Sequence, residues 1–114
     1  MRRPCTAMHP PQYLQFAVLF NEEKFFEAHE VLEDLWRKVT GPERNFYQAL
    51  IQIAAALVHV QRGNPRGAVE MLAKAEKLSR PYPAAYRGVE IASLLKETGA
   101  SIQKNGNFPK ISLK

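Results

Sequence analysis

The stretch from Ala49 to Val60 limits most sharply what this chain can become. It is apolar throughout except for Gln52 and His59. It is well short of the ~20 residues that a membrane-spanning helix requires. Wound as an α-helix from about Glu43 to Arg62, it places Phe46, Ala49, Leu50, Ile51, Ile53, Ala54, Leu57, Val58 and Val60 around most of its circumference. A helix apolar on nearly every side must be surrounded by other elements, so it is predicted to be the central, largely buried one. Its polar residues collect in one narrow stripe: Asn45, Gln48, Gln52 and His59. Ala55 and Ala56 flank the stripe and let a neighbour approach closely. An unsatisfied buried amide costs about 1–3 kcal/mol, so a polar partner is expected to face it.

Prolines and glycines punctuate the rest of the chain. Pro4, Pro10, Pro11, Pro42, Pro65, Pro81, Pro83 and Pro109 separate stretches of helical periodicity. A first helix is predicted over 11–20, with Tyr13, Phe16, Ala17 and Phe20 on one face. Asn21 ends it or caps a second helix, which Thr40-Gly41-Pro42 stops near Val39. Gly63 closes the third helix, and Asn64 with Pro65 opens a fourth carrying Ala68, Val69, Met71, Leu72, Ala75 and Leu78. Arg80-Pro81-Tyr82-Pro83 reads as a stiff connector. A last helix is predicted from Val89, or from Ala84, to Glu97, with Gly99 ending it. No internal repeat and no strand of useful length is visible. The short connections make consecutive helices antiparallel neighbours, which gives an all-α fold: one compact domain of four to five antiparallel helices. The expected organisation is a flexible basic N-terminus over 1–9, the helical domain over 10–99 and a polar, basic tail over 100–114.

The second helix supplies the expected polar partner. Its apolar arc holds Phe25, Ala28, Val31, Leu32, Leu35, Trp36 and Val39, while Glu27, Glu30 and Asp34 occupy the wet side. At the border of the arc, His29, Glu33 and Trp36 form one ridge at i, i+4 and i+7. A small polar pocket between the second and third helices is therefore expected, lined by His29, Glu33, Trp36, Gln48 and Gln52. In one reading His29 and Glu33 are catalytic as an acid–base pair, or ligate a divalent metal ion with His59 as a third ligand. A metal with an open position would suit hydrolysis. Gln48, Gln52 and Trp36 would then hold a small polar ligand. In the alternative reading His29 and Glu33 simply satisfy Gln48 and Gln52 by hydrogen bonds, Trp36 is packing, and the chain is a helical protein-interaction module.

Other chemistries are argued against. His29-Glu30 followed by Glu33 fails the zinc-protease pattern, which needs a second His at that place. Cys5 is the sole cysteine, so neither a disulfide framework nor a Cys-rich zinc site can form. His9 falls in a loose end. No Gly-rich phosphate loop is present, so no organic cofactor is indicated. The formal net charge is +5, from 16 Lys and Arg against 11 Asp and Glu. Setting aside Arg2, Arg3, Lys104, Lys110 and Lys114 leaves 11 basic against 11 acidic residues between His9 and Gln103. The excess lies on the ends of a neutral body, which argues against nucleic acid as partner. Neither a membrane span nor a signal-peptide core is seen, and a cytoplasmic location is expected. Phe25, Phe26, Tyr82 and Tyr86 are expected to expose apolar surface suited to self-association.

The segment Phe25-Phe26-Glu27-Ala28-His29-Glu30-Val31-Leu32-Glu33-Asp34-Leu35-Trp36 resembles the hallmark of the bacterial and archaeal family called domain of unknown function 309. The family's motif, His-x-x-x-Glu-x-x-(Trp/Tyr), is matched by His29, Glu33 and Trp36. Phe46-Tyr47-Gln48-Ala49-Leu50-Ile51-Gln52 and Gly63-Asn64-Pro65-Arg66-Gly67-Ala68 fit as well. The resemblance covers roughly Phe20 to Leu95 and implies an all-α fold and a suspected metal-binding role for the motif. It implies no reaction, substrate or partner. Two departures stand out: Glu23 and Ala49 occupy places where Gly is common in the family.

Overall fold

Three helices begin on a proline, because a proline at the first helical position gives up an N–H that has no intrahelical partner there. These are α1 (Pro11–Asn21), α3 (Pro42–Gln61) and α4 (Pro65–Ser79); α2 spans Phe25–Lys38 and α5 spans Ile91–Lys104. Between α4 and α5 lies a minimal hairpin of β1 (Ala85–Tyr86) and β2 (Val89–Glu90). The computed structural model describes residues 9–104 and 107–113. Arg2, Arg3, Pro4, Cys5, Gly106 and Lys114 lie outside them, as does nearly all of the expected N-terminal segment.

The expected all-α bundle is what forms, and α3 is its axis. Phe46, Ala49, Leu50, Ile53, Ala54, Ala56 and Leu57 are completely buried, and α2, α4 and α5 all pack on this helix. α1 joins from beyond α2 through Tyr13, Phe16 and Phe20. A chain of rings runs from α1 into its neighbours: Phe16 meets Phe20 at 5.6 Å within α1, Phe20 meets Phe25 of α2 at 5.0 Å, and Phe25 meets Phe108 at 5.3 Å. Each such pair adds roughly 0.5–1.5 kcal/mol to the area it buries. No helix among the described residues is long and apolar enough to cross a membrane.

Two tight corners set the helix order. The α3–α4 corner is a Schellman turn: Asn64 N–H donates to His59 O at 2.8 Å and Gly63 N–H to Val60 O at 3.1 Å, with Gly63 at φ 72°. Asn64 then caps α4, its Oδ1 accepting from Gly67 N–H at 3.2 Å. The α1–α2 corner is built the same way, with Lys24 N–H on Leu19 O at 2.9 Å and Glu23 N–H on Phe20 O at 3.0 Å. Glu23 there takes the left-handed position, φ 64°, that glycine prefers.

The C-terminal half departs from expectation. The span 84–90 is a hairpin, because Arg87 (φ 51°) and Gly88 (φ 80°) form a two-residue turn with both residues left-handed. Arg87 O accepts from the buried Tyr13 hydroxyl at 2.8 Å, and burial raises the Tyr13 phenol well above its ordinary pKa. Gly99 does not end α5. The stripe Ile91, Leu94, Leu95, Thr98 and Ile102 continues past it to Lys104, and the packing outweighs one glycine's helix penalty of ~1 kcal/mol. Residues 107–113 do not trail into solvent. Ile111 is buried, and its backbone is clasped by Asn21: Nδ2 donates to Ile111 O at 2.7 Å, and Ile111 N–H donates to Oδ1 at 2.7 Å. His9 packs on Tyr13 with ring centres 5.1 Å apart. Of the four aromatics expected to be exposed, Phe25 is buried, and Tyr82 and Tyr86 stack on Phe46 at 5.5 and 4.8 Å. Among the described residues the large exposed apolar side chains are Leu14, Val18, Phe26 and Val69.

Glu23 carries a steric cost that glycine would not. Its ion pair with Lys110, 3.3 Å long and exposed, returns little. Glu23→Gly is expected to stabilise the fold by up to about 1 kcal/mol, read as a higher midpoint in urea unfolding.

Candidate functional site

The ridge on α2 and the polar stripe on α3 face each other, as their helical spacing requires. His29, Glu33 and Trp36 from α2, with Gln48, Ile51, Gln52 and Ala55 from α3 and Met71 from α4, line a pocket of about 220 Å³. All five sequence-predicted polar lining residues are therefore brought together, and each is half-buried. Ile51, Ala55 and Met71 supply the apolar part of the wall. Met71 was not legible as a lining residue, because nothing in its own helix period distinguishes it from Leu72.

His59 is not brought to this pocket. It sits at the α3–α4 corner, where its Nδ1 lies 3.2 Å from Asn64 Nδ2. Asn64 Oδ1 is already committed to Gly67 N–H, so the amide N–H₂ donates to His59 Nδ1 and the imidazole proton resides on Nε2. A Cβ on Gly67 would come within 2.8 Å of His59 Nδ1 and 2.7 Å of Asn64 Nδ2, so a larger residue there would displace these two side-chain ends. Asn45 is exposed and lines nothing in the pocket.

The expected mutual satisfaction of the pocket residues is not seen. Neither His29 nor Glu33 hydrogen-bonds Gln48 or Gln52, and neither amide has a side-chain partner among the described residues. Glu33 instead meets Arg37 at 3.6 Å, one turn along α2. Two nitrogens on lining residues, His29 Nδ1 and Trp36 Nε1, are buried with no hydrogen-bond partner. Each such group costs about 1–3 kcal/mol while it stays unpaired.

The surroundings add rings and guanidinium groups. The Arg44 guanidinium lies over the Trp36 ring at 4.1 Å. Phe26 stacks on His29 at 6.1 Å and 24°, and Arg62 lies 5.7 Å from the Phe26 ring centre. Asp34, beside Glu33 in sequence, belongs to a separate exposed cluster. It accepts from Gln12 Nε2 at 2.6 Å and faces Lys38 at 3.4 Å, and these contacts lower its pKa.

The chain belongs to the family described as Domain of unknown function (DUF309), whose pattern matches residues 13–71. That span contains α2, α3 and every pocket-lining residue. The DUF309 chain is 33% identical over 85 residues to the uncharacterized protein YpuF of Bacillus subtilis (strain 168), covering 73% of this chain and 47% of that protein. It is 30% identical over 96 residues to an uncharacterized protein of Aquifex aeolicus (strain VF5), covering 81% of this chain and 28% of that one. The chain thus spans less than half the length of these relatives. The crystal structure of a conserved hypothetical protein from Thermus thermophilus, TTHA0068, superposes with a TM-score of 0.73 at 34% identity, covering 83% of this chain and 99% of that chain.

The structure brings two of the three expected metal ligands, His29 and Glu33, to this DUF309 pocket and leaves His59 outside it. His29 and Glu33 offer two protein ligands, where zinc sites take three or four. No group of three or more His, Cys, Asp or Glu converges among the described residues. Glu33 is moreover engaged with Arg37.

The role of His59 can be checked separately from the pocket. Asn64→Ala removes the α4 cap and the His59 contact, and is expected to cost about 1 kcal/mol of stability in urea unfolding. The Trp36 emission spectrum should stay unchanged, since the pocket lies elsewhere along α3.

Proposed function

We propose that the α2–α3 pocket is a binding site for a small polar organic molecule, and that DUF309 chains of this type act as binding proteins rather than metal-dependent hydrolases. One observation carries the reading. Five polar side chains from two facing helices surround a single pocket without hydrogen-bonding one another. Structural polar groups at helix interfaces pair off, because each buried one left alone is costly. Side chains that converge without pairing with one another, with Glu33 engaged only outward by Arg37, are placed to meet a ligand. At about 220 Å³ the pocket is smaller than the ~300–1,000 Å³ typical of drug-sized ligands, so its ligand is small.

The lining offers little for covalent chemistry. Among the described residues it contains no Ser, Thr, Cys or Lys to act as a nucleophile. Gln48 and Gln52 each present both a donor and an acceptor, and Glu33 an acceptor, so the set recognises rather than transforms.

Trp36 is the sole tryptophan, so the protein's indole emission reports on the pocket wall alone. Screening small polar metabolites at about 1 mM by emission and by thermal shift is expected to yield compounds that change both. Those responses should be lost in His29→Phe, which fills the pocket. Finding no compound that alters either signal in the wild-type protein would contradict the reading.

A further inference from the structure

We propose that the ligand of the α2–α3 pocket is an anion, a small molecule bearing a carboxylate or phosphate group held at the Trp36 end by Arg44; this rests on the pocket being a ligand site. The sequence alone points the other way, because six acidic residues, from Glu22 to Asp34, lie on α2 or immediately before it. The structure removes nearly all of them from the site. Glu22 meets Lys24 at 3.6 Å, Glu23 meets Lys110 at 3.3 Å, and Asp34 meets Lys38 at 3.4 Å. Glu27 and Glu30 are exposed and do not line the pocket. Glu33 is the one carboxylate in the wall, and Arg37 offsets its charge at 3.6 Å.

Arg44 has no such counterpart. It lies outside the pocket wall itself, one helical turn before Gln48 on the same face of α3, half-buried with its guanidinium 4.1 Å over the ring of the lining residue Trp36. Among the described residues it forms no ion pair with a carboxylate. Glu43, its neighbour in sequence, is directed to Arg87 at 4.0 Å. Stacking on an indole fixes the guanidinium plane and leaves its N–H edge available for bidentate recognition of a carboxylate or phosphate. The local balance is therefore Arg37 against Glu33, with Arg44 uncompensated. The amide N–H₂ groups of Gln48 and Gln52 in the pocket wall add neutral donors.

The test follows the Trp36 indole N–H resonance by NMR in the full chain. Two matched pairs, acetate with acetamide and glycerol 3-phosphate with glycerol, serve as probes. The anions are expected to shift the resonance saturably, with the neutral partner at least ten-fold weaker. Whichever anion of the two is stronger identifies the headgroup. Arg44→Gln should weaken the anion roughly ten-fold or more, and Arg44→Lys should restore part of it. A thermal melt confirms that each variant folds. Equal binding of neutral and anionic partners, or anion binding unaffected by Arg44→Gln, would overturn the anion assignment while leaving the pocket as a ligand site. No shift with these four probes, together with no response in the broader metabolite screen, would remove the pocket reading and the anion assignment with it.

Discussion

Burial of α3 is the interaction on which the rest of the structure depends. A fully buried Leu, Ile or Phe side chain contributes about 1.5–3 kcal/mol relative to exposure, and α3 contributes Phe46, Leu50, Ile53 and Leu57 completely buried. No other element comes close. Helices α2, α4 and α5 take their places because α3 has apolar surface on nearly every side. The one line of α3 that is not apolar, through Gln48 and Gln52, is the line that stays half-buried. The pocket is thus a consequence of the same pattern that makes the core. Where the helix has nothing apolar to bury, α2 presents His29, Glu33 and Trp36 rather than a leucine.

Much of this was legible in the sequence. The four N-terminal helices follow from prolines at the first positions of three of them and from apolar spacing, and both signals are local. The meeting of His29, Glu33 and Trp36 with Gln48 and Gln52 follows from two helical wheels and a short connection. What was not legible depended on contacts distant in sequence. The clasp between Asn21 and Ile111 spans 90 positions, so a stretch that reads as a polar tail becomes part of the fold. Gly99 reads as a stop but lies within a stripe that packs on α4, with Leu72 at 3.6 Å from where its Cβ would be. His59 failed for a different reason. A wheel gives the angle around a helix and not the distance along it, and His59 lies roughly 10 Å beyond Gln52 along the axis.

The electrostatic character of the site shows why position outweighs composition. Two tallies of charge, a basic chain and an acidic second helix, each suggest a partner, and neither describes the pocket. Acidic residues on and before α2 are spent on exposed pairs with Lys24, Lys38 and Lys110, which are worth little to stability. The wall keeps one carboxylate, Glu33, which Arg37 faces from outside it, and the Arg44 guanidinium lies over Trp36 with no carboxylate partner among the described residues.

In the proposed reading Gln48 and Gln52 serve a ligand and contribute nothing to the fold. Equilibrium urea unfolding of the Gln48→Leu/Gln52→Leu double variant tests this most directly. Because neither amide has a side-chain partner to lose, the variant is predicted to unfold at the same urea concentration as the wild type or a higher one. A loss of about 2 kcal/mol or more, the scale of a broken buried hydrogen-bond network, would show that these glutamines hold the structure together and would contradict the account.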